Sequence, residues 1–290
     1  MRNKNQLYII IAIISLLVLV LIINRKYDGF YTENKDFEYN KDNKITVILN
    51  VYKRPHVLIE QITAVKAQTV PPEKIIIYKN FVEGVEIPKI PDELNTNITI
   101  IQSSENFGVW ARFAIGLLAN TEYVCIFDDD TIPMPKWFEN CINTMKVTPG
   151  LLGTNGIIFK KGIKYEIAEN IGWATGTNDT TREVDIVGHS WFFKREWLQY
   201  LWDYTPNHTF VKTRGEDMAF SAMLQKNGIK TYVPPHPKDN KDLWGSNPES
   251  GNKYGSEASG ISVMKKEPDF WDSVLKYFIE DMGFVTINNR

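Results

Sequence analysis

The chain has 290 residues, 43% of them hydrophobic and 23% charged, enough to give one large domain or two ordinary ones a real core. That composition excludes a disordered chain, a disulfide-stapled miniprotein and a fibrous repeat. A formal net charge of −2 supplies no basic field for a phosphate backbone, so no nucleic-acid partner is expected.

Residues 7–23 form an apolar run relieved only by Ser15, with Arg2 and Lys4 before it and Arg25 and Lys26 after it. At about 1.5 Å per residue the run reaches about 25 Å, short of a bilayer core of about 30 Å but within what snorkelling basic residues tolerate. Asn24-Arg25-Lys26 lacks the small-residue pattern of a cleaved signal peptide. The expectation is therefore a cytosolic tip and signal anchor over 1–26, a polar stem over 27–43 and a folded domain over 44–290. The protein would be single-pass and type II, with a lumenal domain in an ER or Golgi-type membrane if the host is eukaryotic.

Beyond the stem, strands and helices alternate. Short buried strands are predicted over 45–49, 74–78, 98–101 and 123–127, with helices over 55–68 and 109–119 between them. Further helices are predicted over 194–202, 217–226 and 269–281. This order predicts an α/β fold with a Rossmann-like, mostly parallel sheet flanked by helices, whose ligand sits at the carboxyl ends of the strands. Cys125 falls in an apolar run and Cys141 in a helical one, so both read as buried thiols.

The most legible chemistry is Asp128-Asp129-Asp130, which follows directly on the apolar run YVCIF. Adjacent carboxylates repel, and a cation at the strand end relieves that repulsion; an all-oxygen set suits Mg²⁺ or Mn²⁺ better than zinc. A solvated acidic turn is the plainer reading of the same triplet.

The run Asn106-Phe107-Gly108, then Ala111-Arg112 and Gly116, ahead of the strand that ends in these acids, resembles nucleotide-sugar glycosyltransferases of the GT-A fold. The opening ITVILNVYKRP and KIIIYKN are similar to their first two strands. DIVGHSWFF and TRGEDMAFSAMLQKNGIKTYV resemble their acceptor-side strand and acidic helix start. Family 2 and exostosin-like transferases share this order of motifs, which covers roughly residues 44–235 here. The resemblance divides the domain into a nucleotide-sugar-binding half, 44–150, and an acceptor-binding half, 151–290.

The resemblance also implies roles. Asp130 would ligate the cation, with Asp128 directed at the ribose or a metal-bound water and Asp129 in support. Asn50 and Arg54 lie in the loop that receives the donor, and Asn80 would read the base edge, although a turn asparagine fits there too. Arg112 would reach the base or a phosphate; a surface helix arginine fits the same position. Glu216 and Asp217 open a helix, where acids cap favourably, but the motif order sets Asp217 beside the acceptor hydroxyl. His236, in VPPHP, is the late histidine that some members of the fold bring to the metal or diphosphate; a structural role is its alternative. His189 suits either an acceptor pocket or a buried, satisfied imidazole. Trp137, Trp173, Trp191 and Trp244 would flank an acceptor groove or belong to the core. Sequons start at Asn97, Asn178 and Asn207, as many as chance supplies in a chain rich in Asn and Thr.

The expected activity is thus a membrane-anchored, Mn²⁺- or Mg²⁺-dependent hexosyl- or pentosyltransferase. It would move sugar from a nucleotide-diphosphate sugar, with UDP favoured, to the hydroxyl of a glycan or of a glycoprotein or glycolipid. A catalytically inactive sugar-nucleotide or glycan-binding module and a metal-dependent phosphohydrolase are the readings from other classes; the second lacks the extra His or Asp ligands of a two-metal site.

Overall fold

The computed structural model describes residues 40–172, 176–204, 214–255 and 268–290. The expected membrane segment and most of the expected stem, with Trp173 and Asn207, lie outside the described residues. Among those described, no helix is long and apolar enough to cross a membrane.

The folded unit runs from Asn40 to Arg290. Its first strand, β1 (Asn40–Val51), begins four residues before the expected boundary at 44. It is followed by α1 (Leu58–Lys66), β2 (Lys74–Lys79), β3 (Ile98–Gln102), α2 (Ala111–Ile115) and β4 (Thr121–Phe127). Single 3₁₀ turns lead into α1 and out of α2, so the helical spacing over 55–68 and 109–119 is divided between two helix types. Then come α3 (Trp137–Val147), β5 (Gly150–Phe159), β6 (Ile167–Ile171), β7 (Arg182–Val184), β8 (Ile186–Lys194), α4 (Leu198–Trp202), α5 (Glu216–Lys226), β9 (Lys230–Val233), α6 (Pro248–Gly255) and α7 (Pro268–Glu280).

The strands form one sheet in the order β3-β2-β1-β4-β8-β5-β9-β7, with β6 beside β5. From β3 to β4 every pairing is parallel, as the alternation of strand and helix predicts. The expectation of a mostly parallel sheet fails in the second half, where β8 runs antiparallel to both β4 and β5, β6 is antiparallel to β5 and β7 to β9, and only β5 and β9 pair in parallel. A parallel neighbour needs a long crossover, usually a helix, and among the described residues none lies between β5 and β8.

The core fills both faces of the sheet. Val47, Ile48 and Leu49 of β1 and Val124, Cys125, Ile126 and Phe127 of β4 are fully buried, which is why these strands read as unbroken apolar runs. Both cysteines are free and buried. Trp137, Trp191 and Trp244 belong to this interior and do not flank a groove. Asn178 is also buried and donates from its amide to the carbonyls of Thr180 and Pro234, so that sequon is closed in the folded chain.

Candidate active site

The acid triplet emerges at the carboxyl end of β4, between β1 and β8, and opens into a cleft of about 800 Å³. Several polar side chains fix its backbone. Buried Gln61 donates to the carbonyls of Asp128 (2.7 Å) and Thr131 (2.9 Å), and Asn50 donates to that of Phe127 (2.7 Å). The expected ligand-facing Asn50 thus also ties β1 to β4.

Antiparallel register supplies the next component. Phe127 stands opposite Ser190, so the following step brings Asp128 against His189, whose carbonyl accepts the Asp128 N–H at 2.9 Å. His189 adopts φ of 63°, an uncommon conformation for a residue with a side chain. The outcome is a cluster of Asp128, Asp130 and His189, each offering one ligand atom, with those atoms within 4.8 Å of one another.

Arg54 is buried and forms ion pairs with Asp129 (2.5 Å) and Asp130 (3.3 Å). Burial raises the Asp129 carboxyl, and Arg54 opposes that shift. Burial and then the Asp128 charge raise Asp130, with His189 and Arg54 pulling the other way. A cation lowers the cost of such crowded, desolvated acids. Two carboxylates with one imidazole fit Mn²⁺, which accepts nitrogen more readily than Mg²⁺.

Arg112 is buried, which removes the surface-helix reading. Its guanidinium binds Asp128 on one side and Glu216 on the other, the latter at 2.6 Å, and lies 4.2 Å from the Trp191 ring. Burial works against its charge, but Asp128 and Glu216 outweigh it and hold the guanidinium ionised. Arg112 therefore joins the acid triplet to the start of α5, where the sequence suggested a contact to base or phosphate.

Gly215 precedes α5 with φ of 84°, and a Cβ there would meet Val274 of α7 at 3.1 Å. Glycine is needed at this turn for its conformation and for that close approach. Beyond it, Glu216 is committed to Arg112, while half-buried Asp217 lines the cleft and accepts the Met218 N–H at 2.7 Å. Burial and the neighbouring Glu216 push the Asp217 carboxyl up to about 7.

At the opposite end, Asn80 organises a loop. It donates to Asn106 (2.8 Å) and accepts from the Phe107 N–H (3.1 Å); Asn106 in turn donates to the Tyr52 hydroxyl (3.0 Å). Asn50, Tyr52, Asn80 and Asn106 all line the cleft there.

All the expected donor-binding, metal and catalytic residues except His236 therefore border one cleft. His236 does not line it: the ring stacks on Trp244 at 4.0 Å, and burial lowers its pKa to about 4. The imidazole beside the acids belongs to His189, which the sequence offered as an acceptor-pocket residue or a buried, satisfied imidazole and not as a metal ligand. Asn155, Asn170, Arg214 and Trp271 also line the cleft, as do Gly251, Asn252 and Gly255 of α6, the last of them close to Asp130; none of these was singled out as a contact from sequence. Pairing β8 against β4 in the sequence would have exposed the position of His189, one residue beyond the ladder.

With that geometry established, the comparisons fit it. Residues 46–202 match the family model described as Glycosyl transferase family 2, more than half of the chain, and the chain belongs to that family. A comparison with curated proteins finds no match.

Proposed function

We propose that this family 2 member transfers a sugar from a nucleotide-diphosphate sugar, with UDP as the nucleotide, to an acceptor hydroxyl in a Mn²⁺-dependent reaction. The observation that carries the reading is the placement of the Asp128, Asp130 and His189 cluster in one cleft with Asp217.

Asp128, Asp130 and His189 would hold the cation, which supplies Lewis-acid stabilisation of the departing diphosphate when bound. The chain's own residues do the rest. Tyr52, Asn80 and Asn106 offer hydroxyl and amide groups for the base and ribose at the β1–β2 end. Arg54 places positive charge beside the acids. The acceptor oxygen bonds to the anomeric carbon as the bond to the diphosphate oxygen breaks, and Asp217 takes the hydroxyl proton. A carboxyl near 7 is suited to that task, being close to the working pH.

Calorimetric titration of UDP-sugars with Mn²⁺, with chelator, and into Asp130→Asn tests this. Binding should need both the cation and Asp130, because a diphosphate adds negative charge to a cleft that already holds three adjacent carboxylates. Equal affinity in chelator would remove the metal from the mechanism. Nucleotide release should accelerate with acceptor; release that ignores acceptor would identify a hydrolase, and none at all a binding module.

The proposal includes membrane attachment through residues 7–23, supported by the length of that apolar run and the basic residues flanking it. Protease protection of the folded unit in sealed vesicles checks the type II orientation; digestion without detergent would reverse it.

A further inference from the structure

The wall of the cleft beyond Asp217 combines groups from three separate stretches of chain. Trp271, in the first turn of α7, lines it and is partly exposed. Asn155 of β5 and Asn170 of β6 line it as well. Asn155 stands opposite Gly188, the neighbour of His189, just past a register shift in β5, and its Oδ1 is buried without a hydrogen-bond partner. An unsatisfied buried acceptor beside a ligand cleft requires a reason.

The position of Trp271 is secured from several sides. Val274, one turn further along α7, packs at the Gly215 turn. The Tyr165 N–H donates to Asp272 at 2.8 Å, and the Tyr165 ring lies 5.3 Å from that of Trp271. Arg214 lies 4.6 Å over Phe270. Trp271 and Asp217 line the same cleft.

We propose that Trp271, Asn155 and Asn170 form the acceptor subsite and that its ligand is a pyranose ring of a saccharide. This rests on the transferase reading above. A sugar has an apolar C–H face that matches an aromatic surface and vicinal hydroxyls that match carboxamides, which both donate and accept. The competing acceptor class, a polyprenyl phosphate, would leave the carboxamides of Asn155 and Asn170 without vicinal hydroxyls to pair with.

The experiment measures nucleotide release from a UDP-sugar with Mn²⁺, alone and with methyl and p-nitrophenyl pyranosides or a short-chain polyprenyl phosphate. At least one pyranoside should accelerate release. Trp271→Ala should raise the KM for that pyranoside about tenfold or more. Trp271→Phe keeps a flat ring and should restore most of the acceptor affinity, which separates a subsite from a folding defect. The subsite is overturned if no pyranoside accelerates release, if only the polyprenyl phosphate does, or if Trp271→Ala leaves KM unchanged. Wild-type protein that neither binds nor cleaves any UDP-sugar would instead overturn the transferase reading.

Discussion

Arg112 on α2 and Glu216 at the start of α5, 104 residues apart in the chain, meet in a 2.6 Å ion pair with both side chains buried. Because Arg112 also binds Asp128, the acid triplet and the Asp217 turn are held at a set separation. A donor bound by one and an acceptor activated by the other require that spacing.

Replacing Arg112 by Met should therefore be costly despite the similar volume, since two carboxylates lose their cation in a poorly solvated site. The expected loss is about 3–5 kcal/mol in urea denaturation at neutral pH. A loss below about 1 kcal/mol would mean that water reaches the pair and that the link is weak.

The two histidine positions make a sharp contrast, His189 half-buried in the cleft and His236 buried outside it. His189→Asn should weaken Mn²⁺ and donor binding together, and Asn is the suitable replacement because it tolerates the positive φ at this position. His236→Phe keeps a ring to stack on Trp244 and should leave metal binding unchanged. Electron paramagnetic resonance of bound Mn²⁺ reads both directly; loss of the metal in His236→Phe would reinstate the late histidine as a ligand.

Gly215→Ala should cost about 1–3 kcal/mol, because alanine resists φ of 84° and its Cβ would press on Val274. Thermal unfolding compared with Gly228→Ala separates the two effects: Gly228 also has a positive φ, 72°, but a Cβ there meets nothing within 4 Å. Equal losses in both variants would show that contact with α7 adds nothing.

What the sequence disclosed follows the range of the interactions. The strands of the first half, the acid triplet and the Gly215-Glu216-Asp217 turn are written in consecutive residues, so periodicity and motif spacing located them. His189 is in the site because of the register between β4 and β8, and Arg112 meets Glu216 across 104 positions; neither relation leaves a local pattern. The reversal of β8 escaped for the same reason, since a strand reads alike in either direction. The helical spacing of α7 was legible, but its docking on Gly215, which brings Trp271 to the cleft, was not.

Asp217 offers the test that joins stability to turnover. Its carboxyl is raised from 3.8 to about 7, so between these values the folded chain holds a proton that the unfolded chain has released. This group's contribution to stability therefore falls as pH rises through that window and stays low above it. Asp217→Asn carries no charge and can still accept the Met218 N–H, so it should unfold at a higher temperature than the wild type at pH 8 and show no such slope. Turnover runs the opposite way: the wild-type rate should climb toward pH 7 as the carboxylate forms, and Asp217→Asn should lose about 10²–10⁴ of it while binding donor normally. A variant that is more stable and equally active would reduce Asp217 to a helix-start acid. A variant that is more stable and nearly inactive is the expected signature of a half-buried carboxylate kept for proton transfer at a cost in folding energy.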